Sequence, residues 1–97
     1  MAVLLTMQVG PVDWDRFKPA LEWLYAQDAP GWISSKVYRS EKDPSMVLFI
    51  DEWESREAMH AFVERVDAEF HVRAGTGSLT WQDGIWTPSN APSRGPG

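Results

Sequence analysis

The chain of 97 residues has no cysteine. Disulfides, thiolate metal sites and a cysteine nucleophile are therefore excluded. Basic residues are scarce: nine Lys and Arg stand against 14 Asp and Glu, for a net charge of −5. They are also scattered, and a scattered minority does not make the basic face that nucleic acid requires. No apolar run approaches the ~18 residues of a membrane span. The first residues lack a basic segment followed by an apolar stretch and a small-residue cleavage site. No nucleic acid, no membrane and a cytoplasmic location are the expectations. There is no glycine-rich phosphate loop. The histidines, His60 and His71, lie too far apart to be the i, i+4 metal pair of a helix. Such a chain is compatible with chemistry that uses neither a metal nor another cofactor.

What the chain does have is tryptophan, six in all. Large aromatics fill cores, and they also line sites for flat apolar ligands. Residues 46–53, Met-Val-Leu-Phe-Ile-Asp-Glu-Trp, open on an unbroken apolar run from Met46 to Ile50. A strand with one wet face alternates apolar and polar residues, whereas a continuous run implies cover on both faces. Met1 to Val9 is nearly as apolar and requires the same. A chain of this length has helix enough for one face of a sheet, and a second copy is the simplest cover for the other.

In order, Ala2 to Val9 reads as a strand that Gly10-Pro11 breaks. Asp13 is a good N-cap, and Trp14, Phe17, Leu21 and Leu24 recur at helical spacing. Pro19 is expected to bend that helix or delay its start, and its end falls near Gln27. Trp32 to Ser40 is a second strand, joined by a hairpin loop at Glu41–Ser45 to the antiparallel third. The implied register sets Val37 opposite Phe49, Ser35 opposite Asp51 and Ile33 opposite Trp53. Ser55 caps a second helix, whose stripe is Met59, Phe62, Val63, Val66 and Phe70. A kink is expected at Arg65–Asp67, with Asp67 re-capping a short last helix that stops at Gly75. Ser78 to Gly84 reads as a fourth strand, extended by Ile85-Trp86. From Thr87 to Gly97 the chain has nothing to bury and is expected to be a disordered tail. Residues 1–86 then form one domain.

The order β-α-β-β-α-β predicts an α+β, ferredoxin-like fold: a four-stranded antiparallel sheet with two helices on one face. The other face is bare yet apolar, which predicts a homodimer closed into a barrel of two sheets with helices outside.

Few residues carry possible chemistry. Asp51 falls on the more apolar sheet face with Phe49 and Trp53. There it is either a carboxylate with raised pKa, suited to a general base, or a strand-end carboxylate satisfied by Ser35 or backbone. His71, near the end of the second helix, is a base or donor at the mouth of a pocket, or a helix-end His favoured by the dipole. Asp51 and His71 would reach a pocket from opposite walls. Ser35 is small and leaves room for a ligand. Tyr38, Trp53, Phe62 and Trp81 are aromatic walls or core. Arg39 and Arg73 could bind a carboxylate or phenolate, or form surface ion pairs.

Ile50-Asp-Glu-Trp-Glu-Ser-Arg-Glu-Ala58 resembles the segment that ends strand three and opens helix two in antibiotic biosynthesis monooxygenase domains. Gly31-Trp-Ile-Ser-Ser-Lys-Val-Tyr-Arg-Ser40 with Asp43-Pro44, and Glu69-Phe70 with Arg73-Ala-Gly75, are similar to that family's second strand and helix end. The resemblance covers about residues 3–86. It implies the dimeric α/β barrel and a cofactor-independent monooxygenase acting on a small aromatic, polyketide-type substrate. In that chemistry an electron-rich phenolic ring is deprotonated in an apolar cavity and reacts with O₂ directly. Two other readings stay open: a non-oxidative cyclase or isomerase using the same cavity, and a non-catalytic ligand-binding or structural dimer. The family's haem-degrading branch, by its pattern, carries a Trp on helix two where Phe62 stands here and an Asn that strand one lacks.

Overall fold

The computed structural model describes residues 2–95. Its elements are β1 (Val3–Val9), α1 (Trp14–Tyr25), β2 (Trp32–Arg39), β3 (Val47–Trp53), α2 (Arg56–Ala74) and β4 (Gln82–Trp86). The strands form one antiparallel sheet in the order β2-β3-β1-β4. This is the ferredoxin-like α+β arrangement that the pattern predicts. No helix of the described residues is long and apolar enough to cross a membrane.

Local chemistry explains where the helices start and stop. The Asp13 carboxylate accepts the Asp15 backbone N–H at 3.0 Å and caps α1. Pro19 lies inside α1 without delaying its start. The Ser55 hydroxyl accepts from Ala58 N–H at 3.1 Å and caps α2. Gly75 ends α2 at φ 71°, a left-handed conformation that costs glycine least. A side chain there would also collide with the Arg16 guanidinium, 2.8 Å from where a Cβ would lie. Arg16 donates to the backbone oxygens of Arg73 and Val72, so α1 caps the carbonyl end of α2.

Two hydrophobic clusters fill the layer between sheet and helices. One gathers Phe17, Phe49 and Phe70 with Val9, Val47 and Ala74. The other gathers Val3, Leu5, Trp53, Met59, Phe62 and Val66. Alternation along β3 is strict: Val47, Phe49, Asp51 and Trp53 are buried, while Leu48, Ile50 and Glu52 on the opposite face are half-buried. Leu4, Tyr38 and Trp86 on that second face are 40, 49 and 58% exposed.

Three expectations are corrected. α2 runs unbroken from Arg56 to Ala74, with no kink at Arg65–Asp67. No Gly or Pro interrupts it, and Asp67 pairs with His71 one turn on instead of capping a new helix. The fourth strand starts at Gln82, because a turn closed by Leu79 N–H on Thr76 O carries the chain through residues 76–79. Finally, β2 carries a bulge between Trp32 and Ser34. Ser35 does pair with Asp51 and Val37 with Phe49, but Trp32 rather than Ile33 stands opposite Trp53. Residues 87–95 are exposed and form no helix or strand. The remainder of the expected tail, residues 96 and 97, lies outside the described residues.

Candidate active site

A cavity of about 570 Å³ opens between the sheet and α2, within the ~300–1,000 Å³ typical of small-molecule sites. Leu5, Phe49, Asp51 and Trp53 form its sheet side. Met59, Phe62, Val66 and Phe70 form its helix side, on the apolar stripe legible in the sequence. Trp32 and Trp81 line it from β2 and from the segment before β4. Its polar groups are Asp51, His60, Asp67, His71 and Asp83.

Asp51 sits on the sheet side and is 5% exposed. Its pairing with Leu5 on one flank and Ser35 on the other fixes its direction toward the helices. Its Oδ1 is buried without a hydrogen-bond partner among the described residues. Burial pushes the carboxyl up to about 6, and the Ser35 hydroxyl pulls the other way. Ser35 in turn shares a 3.0 Å hydrogen bond with the Tyr25 hydroxyl. Burial raises Tyr25 above the ordinary phenol range, Ser35 lowers it, and the Asp51 charge raises it further.

Two indoles follow on the same sheet face, Trp53 two residues beyond Asp51 and Trp32 opposite it. The bulge in β2 turns Trp32 onto Trp53, and the rings stack with centroids 5.3 Å apart and planes 1° off parallel. Both pack on Phe62. The Nε1 atoms of Trp32 and Trp53 are buried and have no acceptor among the described residues. One buried acceptor and two buried donors thus lack partners among the described residues. Each such group costs about 1–3 kcal/mol when left unmade, and buried polar atoms left so are the exception in folded proteins.

His71 stands nearer the open side and is held at both nitrogens. Nδ1 is 2.9 Å from the hydroxyl of the fully buried Thr76, and Nε2 is 3.1 Å from Asp67 Oδ1. Trp81 meets its ring edge-to-face at 5.1 Å. Asp83, on β4, completes this rim. Burial and then the Asp67 charge hold Asp83 above the usual carboxylate range, against the pull of His71.

The cavity therefore gathers Asp51, His71, Trp53, Phe62 and Trp81 of the residues singled out in the sequence. It does not gather the others. Ser35 reaches it only through Asp51. Tyr38 points to the opposite sheet face, since it pairs with Leu48, whose side chain lies there. Arg39 lies over Trp14 at 4.5 Å and donates to the Pro44 carbonyl. Arg73 pairs with Glu69 at 2.7 Å and lies over Trp23. Trp32, Asp67 and Asp83 were not singled out. Only Asp67 carried a signal, its i, i+4 spacing to His71 on one helix face.

Among the described residues, no three His, Asp or Glu side chains converge as metal ligands would. What the arrangement can do is take a proton at Asp51 from a flat ring held among indoles and phenyl rings.

Comparison with known proteins places this geometry. The family model for antibiotic biosynthesis monooxygenase matches residues 2–75. No curated protein matches the chain by sequence. Among solved structures, the chain is similar to SnoaB, a cofactor-independent oxygenase from Streptomyces nogalater. The TM-score is 0.72 at 14% identity, over 93% of this chain and 94% of that one. A candidate antibiotic biosynthesis monooxygenase from Chloroflexus aurantiacus gives a TM-score of 0.70 at 19% identity, over 98% and 100% of the two chains. A conserved protein from Methanosarcina mazei Go1 gives 0.71 at 12% identity, over 92% and 94%. At such identities the likeness to these structures concerns the fold.

Proposed function

This chain belongs to the antibiotic biosynthesis monooxygenase family, and from that premise we propose that it is a monooxygenase working without metal or flavin on an electron-rich phenolic ring system. The observation that carries this reading is Asp51: a buried carboxylate pushed up to about 6 by its burial, lining an aromatic cavity. A base of that affinity is ionised at neutral pH yet takes a proton readily. Asp51 removes the proton of a ring hydroxyl. The rings of Trp53, Phe62 and Trp81 hold the ligand flat. The resulting electron-rich anion reduces O₂. One oxygen atom stays on the ring carbon as a carbonyl, the deprotonated hydroxyl becomes the second carbonyl, and the other oxygen leaves as water with the proton held by Asp51 and the hydrogen lost from that ring carbon. His71, between Thr76 and Asp67 near solvent, passes protons between cavity and bulk.

The protein works as a homodimer in this reading. Leu4, Tyr38 and Trp86 are exposed on the bare sheet face, which also carries Leu48 and Ile50. An apolar surface of that kind is stable in water when a partner covers it.

Oxygen uptake with a dihydroxyanthrone as the probe tests the function. The protein should accelerate uptake over buffer, and Asp51→Asn should lower turnover about 100-fold or more, the size expected for a lost general base. His71→Phe should lower it less. Conversion of the probe without O₂ consumption would replace the oxygenase by a cyclase or isomerase. A ligand-induced rise in melting temperature with no conversion would leave a binding protein.

A further inference from the structure

We infer that the cavity selects against anions: Asp67 and Asp83 at its open side make it a site for an uncharged or cationic ring system, and they are its specificity-determining residues. The inference rests on the cavity being the ligand site proposed above, and it names the charge class of the ligand.

Three carboxylates reach the cavity from three different elements, Asp51 from β3, Asp67 from α2 and Asp83 from β4. No lysine or arginine is among the cavity-lining residues described. The neighbouring arginines are committed elsewhere. Arg65 donates to the Asp28 carbonyl and lies 5.4 Å from the Phe62 centroid. Arg73 is held by Glu69, and Arg39 by Pro44 and Trp14. The remaining titratable groups of the lining are His60 and His71. The two nitrogens of His71 are already engaged by Thr76 and Asp67. An acidic handle on a ligand would thus find no lysine or arginine to grip, and it would lie near carboxylates across a poorly screened apolar space.

Asp51, 5% exposed, lines the sheet side of the cavity. An uncharged hydroxyl suits that wall. Its proton transfer to Asp51 moves one negative charge from carboxylate to ligand and leaves the charge of the site unchanged. A ligand that arrives as an anion adds a charge to an acidic enclosure. Burial first and the Asp67 charge second hold Asp83 above the usual carboxylate range, against the pull of His71.

A matched pair tests this: a dihydroxyanthraquinone carboxylic acid and its methyl ester. The oxidised ring cannot turn over, so binding is read alone, by quenching of tryptophan fluorescence at pH 8. At low ionic strength the carboxylate should bind at least about tenfold more weakly than the ester, and added salt should narrow the gap. Asp83→Asn should reduce the ratio, and Asp67→Asn with Asp83→Asn should bring it below about threefold. A carboxylate that binds as tightly as the ester overturns the inference. So does a ratio that the double variant leaves unchanged. Rejection of the carboxylate together with no oxygen uptake from the anthrone would sink the oxygenase reading alone. Oxygen uptake together with equal binding of acid and ester would sink this one alone.

Discussion

Asp51→Asn should stabilise the protein at alkaline pH while abolishing the chemistry proposed for it. The carboxyl is 5% exposed, and burial raises it from 3.8 to about 6. A carboxyl with a raised folded-state pKa binds its proton more tightly when folded than when unfolded. Its contribution to stability is therefore full below about pH 4 and is lost as pH rises through about 6. At about 1.4 kcal/mol per tenfold change in proton affinity, the ionised group at pH 8 costs roughly 3 kcal/mol relative to its protonated form. Asparagine has nearly the same shape and does not ionise. Any fixed cost of its amide enters equally at every pH, so the readout is how the variant-minus-parent stability difference changes. Urea unfolding at one protein concentration, near pH 4 and at pH 8, should show that difference growing by roughly 3 kcal/mol in favour of the variant. For a domain of this size that is about 10 °C or more in melting temperature. A difference that is flat with pH, or that moves against the variant as pH rises, would refute the claim that burial dominates Asp51. Holding protein concentration fixed matters, because dimerisation adds to apparent stability.

Three further outcomes are expected. The pH profile of kcat/KM for a phenolic probe should rise through about pH 6 as Asp51 ionises, and that limb should vanish in Asp51→Asn. Replacing Leu48 and Ile50 with Lys places two charges on the bare sheet face, so light scattering should find monomer or unfolded protein, and a stable dimer would refute the face assignment. Deleting residues 89–97 should leave the melting temperature within about 1 °C, and a fall of several degrees would mean that the tail docks.

Most of the fold was legible because it rests on patterns with a fixed period. The unbroken run Met46–Ile50 marked a strand short of cover on one face, and the alternation along β3 sorted Asp51 from Glu52. The stripe from Met59 to Phe70 marked the helix side of the cavity. What escaped were features set by single backbone events. The bulge between Trp32 and Ser34 has no composition of its own, yet it decides that Trp32 rather than Ile33 faces Trp53. The turn at residues 76–79 removes Ser78 to Trp81 from the fourth strand and frees Trp81 to pack on Phe49, Phe70 and His71. Asp67 reads as a capping residue because Asp favours helix starts. Only the tertiary setting shows it holding His71 in mid-helix.

The candidate site was half legible for a related reason. A residue's sheet face follows from counting, so Asp51 and Trp53 could be assigned to the helix side. A long cation's destination does not, because Arg39 and Arg73 carry flexible stems that settle on whichever carbonyl, carboxylate or ring lies within reach. Here those partners are Pro44 with Trp14, and Glu69 with Trp23. Taking both arginines out of the cavity changes more than a residue list. An anion-binding pocket becomes an acidic one, and on the reading proposed above the ligand brings its own neutral, ionisable hydroxyl. The same low-dielectric wall that raises Asp51 enough to exchange a proton near neutrality is what makes its ionised form costly to the fold. A ring hydroxyl that hydrogen-bonds to the Asp51 carboxylate would offset part of that cost, so a bound ligand should raise the melting temperature more in the parent than in Asp51→Asn.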